Sequence, residues 1–237
     1  MALVVGGSRG IGRAVALRLA QSGFDLWVTY KDNHGAAQET QALVEALGRT
    51  CRLFAFDVAD YAAVQAALVG PIDEHCPDVL VFNAGITRDN LLAFMTPEEW
   101  STVLRTNLDG FFNVTQPVIY GMLHRKRGRV VVVSSIAGQA GQAGQINYAA
   151  SKAGLIGAVK ALVREVGRKN IYVNVVSPGV ITTEMTEQVA KDQLLPFIPV
   201  QRYGTPEEVA AVVNFLCAEE HMYVQGQVIG VNGGMSM

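Results

Sequence analysis

The run ALVVGGSRGIGRAVALRLAQ, residues 2–21, decides the fold. Ala2–Val5 is continuously apolar and ends in two β-branched valines, which predicts a buried strand. From Ile11 to Gln21 apolar residues recur at helical spacing, which predicts a helix. Gly6, Gly10 and Gly12 lie between the two. Glycine permits a tight turn and lets backbone come close to a ligand. A helix starting there adds unpaired N–H groups and the positive end of its dipole. Placed after the first strand of an α/β chain, such a turn is a phosphate cradle for a dinucleotide. Ser8, Arg9 and Ile11 sit inside the same turn and join the predicted site.

Outward from that run, short apolar segments alternate with helical patterns. Strands are predicted at Asp25–Thr29, Arg52–Phe56, Val79–Phe82, Val130–Val133, Tyr172–Val176 and Gln227–Val231. Helices are predicted at Ala36–Leu47, Tyr61–Ile72, from Pro97, over Asn107 to Arg125, within Ile146–Arg168, and at Pro206–Ala218. Continuously apolar strands alternating with helices mean a parallel sheet covered on both faces. The expected fold is therefore one α/β domain over 1–237, a Rossmann-type doubly wound sheet of about seven strands. The repeat GQAGQAGQ at 138–145 predicts a glycine-rich loop, read as pocket wall in preference to plain connector. A helical, partly apolar lid is expected in 184–200.

Bulk composition narrows the function classes. The 237 residues suffice for one sizeable core. A net charge of −2 gives no global pull toward nucleic acid or an acidic membrane. Ala2–Val5 has no basic region before it, so it reads as a strand and not a signal peptide. No apolar run approaches the roughly 20 residues that cross a bilayer. The three cysteines match neither a metal spacing nor a disulfide framework and read as small buried hydrophobes. That usage suits a reducing, cytoplasmic setting. The four histidines show no metal spacing either, so no metal is expected.

The cofactor residues follow from strand ends, where open α/β sheets bind ligands. An acid at the end of the second strand would hold a ribose 2′-hydroxyl; this chain has Tyr30, Lys31 and then Asp32. Lys31 together with Arg9 favours a 2′-phosphate, hence NADPH. Asp32 would favour NADH if the strand end were displaced by a residue or two. Asp57 and Val58 follow the third strand and suit an adenine amine. Asn83, Ala84 and Gly85 follow the fourth and let backbone pass near the adenine ribose. Tyr148 and Lys152 are four residues apart and share a helix face, pairing a phenol with an ammonium.

Taken in order, Gly6-x-x-x-Gly10-Ile11-Gly12, Asp57, Asn83-Ala84-Gly85, Asn107, Ser135, Tyr148-x-x-x-Lys152 and Pro178-Gly179 resemble the short-chain dehydrogenase/reductase family over essentially the whole chain. Residues 85–92, 147–157, 203–210 and 231–235 are similar to its branch that reduces 3-oxoacyl thioesters on acyl carrier protein. The resemblance implies a homotetramer and a catalytic set of Ser135, Tyr148, Lys152 and Asn107. It implies that Tyr148 donates the proton, that its pKa is brought down by Lys152, and that Lys152 also holds the nicotinamide ribose. Ser135 would bind the substrate carbonyl, with Ser134 its competitor for that role. Asn107 would hold a water beside Lys152, or cap the long helix, or both. Pro178, Gly179, Ile181 and Thr183 would cover the nicotinamide. Lys126 and Lys169 stand where that branch has arginines that meet the carrier. With Arg127 they form a docking patch, unless the basic cluster is merely solvated at a helix end. Val5 and Phe82 replace a threonine and an asparagine of the family pattern. The first removes a hydrogen bond worth about 1 kcal/mol from the cofactor turn. Alternatives are reduction of a coenzyme A thioester such as acetoacetyl-CoA, reduction of another small ketone, or a non-catalytic NADP-binding module.

Overall fold

In a computed structural model, residues 1–183, 194–218 and 223–237 are described. Seven short apolar segments form one parallel sheet: β1 (Ala2–Val5), β2 (Leu26–Tyr30), β3 (Cys51–Ala55), β4 (Val79–Phe82), β5 (Gly128–Val133), β6 (Ile171–Pro178) and β7 (Val228–Val231). Their order is β3-β2-β1-β4-β5-β6-β7. Val4 of β1 faces Val28 of β2 on one side and Val81 of β4 on the other. The winding reverses there, so a crevice opens where the chain leaves β1 and β4.

Both faces of the sheet are covered because its strands are apolar on both faces. Leu3, Leu80 and Val130 point into a core that includes Leu68, Val114 and Leu155. These come from α3 (Tyr61–Glu74), α5 (Gly110–Arg125) and α7 (Ile146–Val166). Val4, Val28 and Val81 point the other way, onto Val15 and Val213 of α1 (Gly10–Gln21) and α8 (Pro206–Cys217). α2 (His34–Ala46), α4 (Pro97–Leu104) and the four-residue α6 (Ala137–Ala140) complete the helices used below. Each fully buried Val or Leu is worth about 1.5–3 kcal/mol. Cys51, Cys76 and Cys217 are free and buried.

The structure departs from expectation in three places. The long helix expected from Asn107 begins at Gly110, and Arg105–Asp109 is a π-helical turn that joins α4 to it without a break. Asn107 is therefore inside a continuous helical run and caps nothing. The 138–145 loop begins as helix, because α6 reaches Ala140 before Gly141 turns it off at φ +75°. The lid expected in 184–200 falls mainly on 184–193, outside the described residues; in its described part, Leu195–Phe197 is a 3-10 turn.

Candidate active site

The crevice at the carboxyl ends of the strands is a cleft of about 540 Å³. One end of it is the glycine turn. A Cβ on Gly12 would lie 2.0 Å from the Gly6 carbonyl oxygen, so only glycine lets α1 start this close to β1. Gly6 has φ +73°, and a Cβ there would lie 3.0 Å from the Ala84 backbone. Its N–H donates to Thr29 Oγ1 at 3.2 Å, and its carbonyl accepts from Asn83 Nδ2 at 3.0 Å. The side-chain bond that Val5 cannot make is thus supplied by the neighbouring strands. Thr29 escaped the sequence reading, since a lone threonine in an apolar strand gives no signal.

Nearly all predicted cofactor residues line this one cleft: Gly6, Ser8, Arg9, Gly10 and Ile11 at the turn, then Tyr30, Lys31, Asp57 and Val58. Asn83, Ala84 and Gly85 line it too, as do Tyr148, Lys152, Pro178, Gly179, Ile181 and Thr183. Gly12 lies just behind it. β2 ends at Tyr30, and Lys31 lines the cleft while Asp32 does not. Lys31 Nζ pairs with Asp57 Oδ2 at 2.8 Å, so two residues expected to meet the cofactor separately meet each other. Burial pushes the Asp57 carboxyl up, but Lys31 and the Ala59 N–H outweigh it and hold the pKa below the usual value. Asp57 in turn raises that of Lys31.

The other end, with the residues expected to carry the chemistry, is built on β5, α6 and α7. Ser135 leaves the end of β5, and its Oγ accepts from the Ala137 N–H at 3.2 Å. Ser134 also lines the cleft, but its hydroxyl donates to the Lys152 carbonyl at 2.9 Å, deep in the core. Lys152 is 3% exposed; its Nζ donates to the Val133 carbonyl at 2.9 Å and lies 5.6 Å from the Tyr148 ring centre. Burial lowers its pKa from 10.5 to about 8. Tyr148 moves the opposite way from expectation. Burial raises it, the Ser135 hydroxyl opposes that by favouring phenolate, and the Asp89 charge raises it further. The lysine ammonium is turned to a backbone carbonyl and lies by the ring.

Asn107 is wholly buried behind Gly85. Its Oδ1 accepts from the Ile86 N–H at 2.8 Å, and its Nδ2 donates to the Ile86 carbonyl and to Ser151 Oγ, both at 3.0 Å. Ser151 passes the contact on to the Tyr148 carbonyl at 2.7 Å. A Cβ on Gly85 would lie 3.3 Å from both Asn107 Oδ1 and Lys152 Nζ. One glycine therefore separates the amide from the ammonium. Three further supports were missed in the sequence. Ser151 is one, three residues past Tyr148 on the same helix. Asn147 is another; it accepts from the Tyr148 N–H at 2.7 Å and donates to the Arg88 and Glu99 carbonyls. Gly138 is the third, because a Cβ there would lie 2.7 Å from the Lys152 backbone. α6 can press onto α7 at the lysine only because that residue is glycine.

Lys126, Arg127 and Lys169 lie elsewhere. Lys126 ends α5 in the left-handed conformation at φ 53°, and Lys169 closes a 3-10 turn before β6. Both sites are at the amino ends of strands, across the sheet from the cleft. Arg127 reaches Asp78 at 3.0 Å, where Arg125 and the chain's own N-terminal ammonium also bind. No group of metal-ligating side chains occurs among the described residues.

A family model described as enoyl-(acyl carrier protein) reductase matches residues 5–236. The chain is 47% identical over 236 residues to a 3-oxoacyl-[acyl-carrier-protein] reductase of Aggregatibacter actinomycetemcomitans, covering 98% of each chain. It is 43% identical over 241 residues to the protein of the same name in Escherichia coli (strain K12), covering 100% of this chain and 97% of that one. It is also 44% identical over 245 residues to an acetoacetyl-CoA reductase of Shinella zoogloeoides, covering 99% and 97%.

Proposed function

Because this chain belongs to the short-chain dehydrogenase/reductase family, we propose that it reduces 3-oxoacyl thioesters on acyl carrier protein to (3R)-3-hydroxyacyl thioesters, using NADPH. The observation that carries this reading is convergence. Ser135, Tyr148 and Lys152 open into the same cleft as a glycine turn whose Gly12 admits no larger residue. The full-length likeness to two 3-oxoacyl-[acyl-carrier-protein] reductases supplies the substrate class.

The residues present fit a phosphorylated dinucleotide. The turn from Gly6 to Gly12 suits the pyrophosphate, and Lys31 with Arg9 suits a 2′-phosphate. Asp32, the residue that would favour NADH, is outside the cleft. When bound, the nicotinamide supplies the hydride. The chain supplies the proton and the geometry. Tyr148 is the proton donor: a phenol is protonated at neutral pH, and burial shifts it further toward that form. Ser135 holds that oxygen and the charge that develops on it. Lys152 would hold the nicotinamide ribose and return a proton to Tyr148, and Asn107, across Gly85 from the ammonium, would hold the water through which Lys152 is itself reprotonated. Pro178, Gly179, Ile181 and Thr183 cover the nicotinamide.

Reduction of a coenzyme A thioester is the second reading. It is favoured by the acetoacetyl-CoA reductase relative and by the pairing of Arg127 with Asp78, which spends part of the basic patch on structure. The test offers a 3-oxoacyl thioester on carrier protein and on coenzyme A, with NADPH or NADH, and follows loss of reduced nicotinamide. Fast turnover on the carrier form with NADPH is expected. Turnover on coenzyme A alone shifts the substrate to the second reading. Binding of NADPH with no turnover on either makes the thioester substrate class wrong and turns the search to another small ketone. In Lys126→Glu with Lys169→Glu, KM is expected to rise several-fold for the carrier-bound substrate and to hold for the coenzyme A form. Equal KM values in variant and parent remove the docking patch. We also propose a cytoplasmic homotetramer. The exposed Phe112 and Tyr120 of α5 support association between copies. Among the described residues no helix is long and apolar enough to cross a membrane.

A further inference from the structure

Arg13 sits one residue past the glycine turn, on α1, and does not line the cleft. Its guanidinium is nonetheless committed to the turn. Nε and Nη2 donate to the Ser8 carbonyl at 3.1 and 2.9 Å. The same group donates to Thr40 Oγ1 at 3.0 Å and to the Ala36 carbonyl at 3.1 Å, and pairs with Glu39 at 2.8 Å. Thr40, fully buried on α2, adds its own donation to the Ser8 carbonyl at 3.0 Å. Thr40's single hydroxyl hydrogen also has the Ala36 carbonyl in reach at 3.1 Å, so one carbonyl of the phosphate turn is approached by up to three donors, all from outside the cleft.

A trans peptide is planar, with its C=O and N–H pointing opposite ways. With the Ser8 carbonyl held toward α2, the next N–H, that of Arg9, points away from α2, and both residues line the cleft. The same guanidinium grips the first turn of α2, which follows Lys31 by three residues. Arg13 therefore joins the two places where a phosphorylated dinucleotide carries its charge, the pyrophosphate turn and the end of β2. We propose that Arg13 is a positioning residue for the cofactor's phosphates, locking the glycine turn in register with α2 through the Ser8 carbonyl without touching the ligand. This rests on the NADPH reading above.

The experiment compares the full-length protein with its Arg13→Met, Arg13→Lys and Thr40→Val variants. Affinity is read by fluorescence titration of NADPH and by calorimetry with adenosine 2′,5′-bisphosphate, a probe without nicotinamide. Arg13→Met is expected to weaken both about tenfold, the scale of one charge-assisted hydrogen bond. Arg13→Lys and Thr40→Val should weaken both about threefold, since each keeps some of the grip on Ser8. In all three, kcat at saturating NADPH and KM for the thioester should stay within about twofold. Affinities unchanged in folded Arg13→Met overturn the proposal. So does a kcat that falls in step with affinity, the mark of general unfolding. If Arg13→Met does not fold, the other two variants decide by the same criteria. A parent protein that binds neither probe overturns the cofactor reading, and this proposal with it.

Discussion

Two cations, one at each end of the sheet, are handled in opposite ways. Arg125, at the amino end, donates to the Cys76 carbonyl and also pairs with Asp78, where Arg127 and the N-terminal ammonium join it. Lys152, at the carboxyl end, likewise donates to a backbone carbonyl, but among the described residues no carboxylate pairs with it. The first charge is satisfied and stabilises the fold. The second is buried without a counter-charge, and its pKa falls to about 8 as a result. A buried, uncompensated cation costs stability. Its retention marks the carboxyl end as the place where charge is kept for chemistry.

The sharpest break of that contrast is Tyr148→Phe, which removes the proposed proton donor and leaves the cleft shape intact. Turnover is expected to fall about 10³-fold, within the range for loss of a general acid, with NADPH affinity within about twofold. Retained turnover would place the proton donor elsewhere. Next in size is the pH dependence of stability. The folded pKa of Lys152, about 8, lies below its unfolded value of 10.5. Between those values the unfolded chain holds the proton and the folded chain has released it, so this group makes stability rise with pH. Other groups titrate there as well; burial raises Cys51 and Cys217 to about 12, which pulls the other way. The readout is therefore the difference in unfolding free energy between the cofactor-free parent and Lys152→Met. It should shift toward the parent by up to ~3 kcal/mol from about pH 8 to 10.5. A flat difference would mean that Lys152 is solvated, and the contrast with Arg125 would vanish.

The phosphate end of the cleft was more legible in the sequence than the chemical end, for a physical reason. Backbone geometry makes a residue-type demand: Gly12 can only be glycine, and its place after an apolar run announces the turn. Likewise β1, β4 and the start of α4 at Pro97 follow directly from apolar runs and an N-terminal proline. The supports of Tyr148 are side chains that act across long sequence separations. Asn107 reaches Ser151 and Asn147 reaches Arg88, contacts that no local pattern announces. The direction of the Tyr148 shift was misread for a similar reason. Four-residue spacing brings Lys152 onto the same face, but only the fold says that its Nζ turns to Val133. The π-turn at Arg105–Asp109 was hidden because it turns the downstream apolar face by about 100°, and the eight residues of α4 before it are too few to set a phase from which that turn could be read.

Asp78→Asn tests the other half of the contrast and carries the smallest effect. Burial pushes the Asp78 carboxyl up, yet the N-terminal ammonium and Arg125 outweigh it and hold its pKa below 3.8. A depressed carboxylate contributes stability that is present above its unfolded pKa and is lost as pH falls through the folded value. The asparagine variant should therefore be less stable than the parent by about 1–2 kcal/mol at neutral pH, and the gap should close in acid. Because the carboxyl group is partly exposed, the loss is kept below that of a fully buried pair. kcat and the KM for NADPH should not move, since Asp78 is across the sheet from the cleft. A loss of turnover at unchanged stability would show that the amino end also serves the reaction, and that the two ends are not divided between structure and chemistry.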